Sequence, residues 1–507
     1  MPVPPRACNC ETLRLARPAC LIVADPRGAN SASVLEQSGA RCVSSAAMLK
    51  SLFVSLVLAL PILPVAVLAD APPAPAGAPH SSLKPLTFTE YDLPNGLHVI
   101  LHENHTAPVV SSYVLYHVGS KNERPDRTGF AHFFEHLMFE GSENIKRGTI
   151  DKLVSGAGGN LNASTSFDKT DYFLNLPSNQ LKLALWIESE RMMHNRIDET
   201  GVETQRKVVK EERSMRYDNQ PYGSLFEKLC AFTLAGTPYA WTPIGSVQYI
   251  DQAKIEEFRE FWKMYYVPNN ATLAIAGDIN VEETRKLVAD YFSGIPKGAE
   301  PPRPKLTLID PAGPQKLVVK EDKTPLNATL HVWHACDQKH PDSYPLDLLA
   351  NILASGRSSR LYRRLVDKEQ VALNAEAFPE LFELAGVVGV FATGIAGTPL
   401  EKLDALISEE VEKVKAEGVT GEEFKKALNQ KEAELANENG TMLARAKNLA
   451  HAHVFDGETD EVNKQLDHYL AVKREDLQRV AKKYLLTDKV YILQYPAAEQ
   501  GKVISDK

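Results

Sequence analysis

Apolar and polar residues largely alternate over Leu86 to Tyr91 and again over Leu97 to Glu103, with Pro94-Asn95-Gly96 between them. Alternation places every second side chain on one face of a strand, and a Pro-Asn-Gly break is turn chemistry, so the pattern predicts a β-hairpin. Val109 to Val118 predicts a third strand, and Gly119 to Gly129 a polar loop whose Thr128 is placed to cap the next element. That element, Phe130 to Gly141, reads FAHFFEHLMFEG and is apolar nearly throughout, as a helix buried in a core would be. Gly156-Ala157-Gly158-Gly159 then leads into the small and β-forming residues Asn160 to Phe173, which predict an edge strand. Over Glu203 to Tyr217, Val208, Val209 and Met215 mark the inward face of an amphipathic helix. Phe261 to Asp278 reads as helix, turn at Pro268-Asn269-Asn270, then strand.

Past a stretch with five prolines, Lys297 to Pro314, the same kinds of element return. Strands are predicted at Leu317 to Glu321 and Ala328 to Ala335, followed by an apolar helix running from Tyr344 to Gly356. Laying Gly356 on Gly141 puts Asp347, Ala350 and Asn351 where the first copy has His132, Glu135 and His136. Lys254 to Tyr266 (KIEEFREFWKMYY) has a similar echo in Lys473 to Tyr484 (KREDLQRVAKKY). A chain of 507 residues is also too long for one core, so the expectation is a duplicated α+β unit. The boundaries read as 86–296 for the first unit, 297–316 for a linker and 317–497 for the second unit, which keeps the apolar pattern and loses the polar triplet.

Composition changes this picture only at the amino terminus. Hydrophobic residues at 44% and charged residues at 24% are ordinary for a globular protein, and a net charge of −8 leaves no electrostatic footprint for nucleic acid. Residues 1–47 hold four of the six cysteines (Cys8, Cys10, Cys20, Cys42) and no amphipathic period, which suggests a disordered leader or an upstream extension of the reading frame. Residues 48–69 read as an export signal: Lys50, an apolar run from Leu52 to Leu68, and Val67-Leu68-Ala69 as a small-residue cleavage site before Asp70. Residues 70–85, rich in Pro and Ala, read as a flexible linker. The expectation is an exported protein, periplasmic or secreted, with no stable membrane insertion once the signal is cleaved.

The chemistry lies in the buried helix. His132, Glu135 and His136 form H-x-x-E-H, and on an α-helix all three share one face. Two imidazoles at that spacing can hold one Zn²⁺, and the carboxylate beside them can deprotonate a water whose pKa the metal has lowered. Two histidines do not complete such a site, and the helix at Glu203 to Tyr217 offers Glu211 and Glu212. Glu212 lies four after Val208, three after Val209 and three before Met215, on the inward face, and Glu211 sits further toward solvent. Glu212 is therefore the expected third ligand.

With these residues in view, the chain resembles the inverted-motif zinc peptidases of the pitrilysin and insulinase superfamily, and more closely the shorter bacterial members related to the mitochondrial processing peptidase. The resemblance spans roughly Leu86 to Tyr495. It implies a clam-like molecule of two homologous α/β-sandwich halves, each a mostly antiparallel sheet with helices, one catalytic and one silent. It implies a zinc endopeptidase with one Zn²⁺ per chain on His132, His136 and Glu212, and Glu135 as general base; the distal Glu of the family falls on Glu212, 76 positions beyond His136. The family's N-A-x-T-S strand falls on Asn162, Ala163, Thr165 and Ser166, so Asn162 and Ala163 would contact the main chain of a peptide substrate added to the sheet edge. Two departures are visible. Gln205 stands where the family often has a Glu behind the ligand. Val366 and Leu373 stand where single-chain members carry an Arg and a Tyr, although Arg360, Arg363 and Arg364 are near. The chain is therefore expected to pair with a copy of itself or with a related chain supplying Arg and Tyr. The reading from another functional class is a non-catalytic binding or scaffold subunit, against which the complete ligand set counts.

Overall fold

The computed structural model describes residues 83–498, so the expected leader, the export signal and nearly all of the following linker lie outside the described residues. In chain order the first half contains strands β1 (Thr89–Asp92), β2 (His98–Glu103) and β3 (Val109–Tyr116), helices α1 (Phe130–Leu137) and α2 (Ile150–Gly156), and strands β4 (Asn160–Thr165) and β5 (Thr170–Pro177). Helices α3 (Leu181–His194), α4 (Glu199–Arg213), α5 (Leu225–Thr233), α6 (Val247–Gln252) and α7 (Ile255–Tyr265) follow, then β6 (Ala271–Gly277) and α8 (Val281–Phe292). The second half contains β7 (Gln315–Val318), β8 (Ala328–Ala335), α9 (Ser343–Ala354), β9 (Ala372–Leu381), β10 (Gly386–Gly394), α10 (Leu400–Glu417), α11 (Gly421–Glu438), α12 (Met442–His451), α13 (Glu461–Ala471), α14 (Arg474–Tyr484) and β11 (Tyr491–Tyr495).

Two sheets result, with strand orders β1-β2-β6-β3-β5-β4 and β7-β11-β8-β10-β9. Setting β1 aside, the second order repeats the first strand for strand. In each, one pair is parallel (β2 with β6, β7 with β11) and the rest are antiparallel. Helices α7 and α14, the pair that echo each other in sequence, even begin alike: Glu257 accepts the Lys254 N–H and Asp476 the Lys473 N–H, both at 2.9 Å. The α+β architecture in two related halves is thus observed.

Alternation decides which face of the first sheet meets which layer. Val99 and Leu101, Val114 and Tyr116, and Leu273 and Ile275 point into the core under α1, α3, α7 and α8. The intervening Ile100, Tyr113, Leu115, Ala274 and Ala276 pack against Ala446, Leu449 and Ala450 of α12 and Phe455 beyond it. The exchange is reciprocal, because Leu229 and Cys230 of α5 cover Leu330, Val332, Val387 and Leu493 of the second sheet. Each half therefore lends a helix to the other's sheet.

Four local readings need correction. Asn160 to Phe173 is a hairpin, not one strand: Ser166 N–H donates to the Lys169 carbonyl at 2.8 Å, and Ser166 Oγ accepts from the Asp168 and Lys169 N–H groups. The helix read as Glu203 to Tyr217 starts earlier, at Glu199, because Asp198 Oδ1 accepts the Gly201 N–H, and it passes into a π-helical turn over Ser214–Asp218. That turn carries Met215 outward, 60% exposed rather than on the inner face. Thr128 does not cap α1; its hydroxyl accepts from the Ser246 N–H.

Candidate active site

Helix α1 starts at Gly129, whose φ of +95° is left-handed and whose Cβ, were there one, would lie 3.1 Å from both Gly245 Cα and the Ile244 carbonyl. The helix's free N–H groups are met by Glu123, which accepts from Gly129 at 2.9 Å and Ala131 at 2.7 Å while Trp241 Nε1 donates to it at 3.1 Å. Burial raises the Glu123 carboxyl to about 8, and these donors pull the other way. The result is a rigidly placed first turn, and His132, Glu135 and His136 all lie inside the protein.

Helix α4 packs across α1 and brings in Glu212. His132 Nε2 and His136 Nε2 are 3.3 Å apart, and Glu212 Oε2 lies 3.5 Å from the first and 3.2 Å from the second. The two rings are nearly perpendicular, at 88°. A tetrahedron with arms of about 2.0–2.1 Å has edges of about 3.3–3.4 Å, so three such atoms fit the donor positions of a zinc ion. Glu211, the alternative, is exposed.

Two of the three groups, His132 and Glu212, are held in the form that binds a cation, and His136 would release its proton on binding one. Burial, with His136 and Arg216 adding to it, drives His132 down to about 3, so its ring is neutral. Burial also opposes charging of His136, but the Glu212, Glu135 and Gln205 side chains outweigh it and its pKa rises. Burial pushes Glu212 up, yet the two imidazoles and Arg216 bring it below the usual carboxylate range. Arg216 Nη1 lies 2.9 Å from Glu212 Oε1, which leaves Oε2 facing the histidines. Gln205 hydrogen-bonds His136 and donates through Nε2 to Glu140 at 2.6 Å, so an amide fills the place where the family often has a Glu.

Glu135 is fully buried, and Thr165 Oγ1 at the end of β4 donates to its Oε2 at 2.7 Å. The sequence pointed to Thr165 only as one letter of the N-A-x-T-S strand; its bond to Glu135 needed the tertiary contact. Arg216 had a local signal, being four residues after Glu212 on one helical face. Glu123 had none. Asn162 and Ala163 lie on β4, which pairs with β5 on one side and ends the sheet on the other. Ala163 is buried against α1, and its N–H is taken by Asn162 Oδ1 at 3.0 Å.

Among the described residues, the second half brings no such triplet together. Asp347, the counterpart of His132, is tied to Lys431 at 2.7 Å and to the Tyr469 hydroxyl at 2.8 Å. Arg360 forms a double bond pair with Glu423 and Arg364 reaches Glu409, while Arg363 faces solvent and Leu373 is half exposed. A second cluster, Glu90, His98 and His453, is dense enough to suggest a metal. Its imidazoles, however, lie face to face at 3.5 Å and 4°, so their in-plane lone pairs are parallel and cannot meet at one ion.

Residues 98–244 match the family described as Insulinase (Peptidase family M16), and residues 252–431 match the Peptidase M16 inactive domain. The zinc protease PqqE of Helicobacter pylori is 34% identical over 401 residues, covering 77% of this chain and 89% of that protein. A probable mitochondrial-processing peptidase subunit beta of Arabidopsis thaliana is 26% identical over 432 residues, covering 82% and 80%. The crystal structure of a protease from Helicobacter pylori superimposes with a TM-score of 0.78 at 29% identity, over 82% of this chain and 100% of that one.

Proposed function

The chain belongs to the insulinase family of peptidases, M16, and on that premise we propose that it is a zinc-dependent endopeptidase acting on extended peptides or unfolded segments. The observation that carries this reading is the triangle of His132 Nε2, His136 Nε2 and Glu212 Oε2, with sides of 3.2–3.5 Å and Glu135 on the next turn. Those three residues would hold one Zn²⁺, which when bound acidifies water and polarises a carbonyl. Glu135, one oxygen held by Thr165, takes the proton of the attacking water and delivers it to the leaving amine. Gln205 and Arg216 keep His136 and Glu212 turned inward. The outer edge of β4 at Asn162 and Ala163 would align the substrate main chain as an added strand.

The domains follow from this assignment: a catalytic unit over 86–296 and a silent one over 317–497, joined by 297–316. Cleavage after Ala69 would leave Asp70 as the first residue of an exported enzyme. Arg360 and Arg364 are engaged in ion pairs, and Val366 and Leu373 carry no polar donor. A second copy or a related chain would therefore supply the oxyanion donors, and the alternative role, a binding subunit without turnover, is the outcome if peptide is bound but not cleaved even with that companion.

Metal analysis coupled to digestion of an unstructured peptide, with and without a companion chain, tests the reading. One zinc per chain and hydrolysis are expected. Glu135→Gln should keep the zinc and lower kcat by about 10²–10⁴-fold, the range of a positioned general base. Undiminished turnover by that variant would refute the assignment.

A further inference from the structure

A partly open cavity of about 160 Å³ begins at Ser166, the residue after Thr165, and reaches across to the end of β9 in the second half. Tyr217, five residues past Glu212, lines it too, so the space adjoins both the substrate edge and the ligand helix. Its surface is mainly apolar, and Phe167, Tyr217, Phe226, Phe382 and Phe455 contribute rings to it. Phe167 and Phe382 stand 4.7 Å apart and tilted by 53°, and Phe226 meets Phe167 edge-on at 5.9 Å. A cavity of roughly 150 Å³ lined by apolar side chains accepts one benzene ring, and offset or edge-to-face contacts are the ones aromatic rings favour.

We propose that this cavity is a specificity pocket for one aromatic side chain of the substrate, Phe or Tyr, on the amino-terminal side of the scissile bond. The inference rests on the peptidase reading above. A peptide paired antiparallel to β4, the arrangement that dominates this sheet, runs past Thr165 with its amino-terminal part directed toward Ser166 and the cavity. Phe167 is two residues beyond Thr165, the group that holds Glu135, in the hairpin turn that follows β4.

The polar groups in the walls argue against a basic side chain. Asp168 is already used by Lys121 Nζ at 2.8 Å, the Tyr239 hydroxyl at 2.7 Å and the Glu383 N–H at 3.0 Å. Lys169, whose ammonium bonds Asp171 and the Tyr113 hydroxyl, is a cation already present among the lining residues. Glu380 is the remaining acid; burial, with the charge of Asp168 adding to it, raises its carboxyl to about 7. An apolar ring needs no counter-charge, and a phenol can hydrogen-bond to Glu380 in either protonation state.

The test uses the zinc-loaded full chain, with any companion required, and short unstructured peptides carrying Phe, Lys or Ala at one scanned position. Phe at a single position before the cleaved bond should raise kcat/KM about tenfold over Ala and Lys, a modest share of what full burial of such a ring can supply. Phe226→Trp, which fills the cavity, should erase that ratio. The zinc-loaded Glu135→Gln protein should bind the Phe peptide about tenfold more tightly than the Ala peptide, a readout independent of turnover. Cleavage without an aromatic preference, a preference for Lys, or a Phe preference untouched by Phe226→Trp would overturn the pocket and leave the peptidase standing. Discriminating binding without cleavage by the wild-type protein would do the reverse. The wild-type profile decides the matter even where the Trp variant fails to fold.

Discussion

Thr165 shows how one hydroxyl couples two parts of the site. Its Oγ1 holds Glu135 Oε2 at 2.7 Å, and the same residue ends the strand that would align the peptide. Thr165→Val should lower kcat by about 10- to 100-fold, the loss a misplaced catalytic group produces, with KM little changed. Thr165→Ser, which keeps the hydroxyl, should retain most of the activity; a Thr165→Val enzyme as active as the wild type would show that the hydrogen bond does not matter. His132, Glu135 and His136 were legible because helical spacing alone puts them on one face. Glu212 was legible because the neighbouring apolar residues marked an inner face, even though one of them, Met215, turned out to face solvent once the helix passed into a π turn.

At the level of elements, β4 is the outer strand of its sheet beside the buried Glu135 carboxylate, and an added strand would exchange the Asn162 Oδ1 bond to the Ala163 N–H for one of its own. Proline is tolerated on edge strands but removes a donor. Ala163→Pro should therefore abolish cleavage of extended peptides while zinc content, measured on the purified protein, stays at one per chain. Retained cleavage would argue against strand addition. Helix α1 illustrates the opposite case, since its start depends on Glu123 from a preceding loop and on the approach of Gly245 to Gly129. Neither contact leaves a local pattern, which is why Thr128 looked like the cap.

For the whole molecule the exchange of α5 and α12 means that neither half can bury both faces of its own sheet. Expressed alone, residues 83–300 should expose Ile100, Tyr113 and Leu115 and aggregate, and co-expression with 301–498 should restore a soluble particle; a monomeric, cooperatively melting first half would contradict this. The halves also meet through a buried charge cluster in which Glu383 contacts Lys121 and accepts from His117 at 2.6 Å. Burial raises Glu383, but His117 and Lys121 outweigh it and hold the carboxyl down at about 2. A carboxyl held below its unfolded value stabilises the fold above about pH 4.5 and loses that contribution as pH falls toward 2. His117, lowered chiefly by burial, acts in the same direction below about 6.5. Melting temperature should thus fall on acidification, and Glu383→Gln should melt lower at neutral pH with a shallower acid limb. An unchanged limb would remove Glu383 from the explanation.

The sequence by itself determined many of the strands and helices, the duplication and the H-x-x-E-H triplet on one helical face, because each is written in spacings of two, of 3.6, or of a repeat length. It also pointed to β4 as an edge. Only the tertiary structure decided which helix covers which sheet, that Thr165 reaches Glu135, that Glu123 starts α1, and that a ring-sized cavity opens beside β4. Those contacts join residues tens to hundreds of positions apart, where side-chain direction rather than local period sets the outcome.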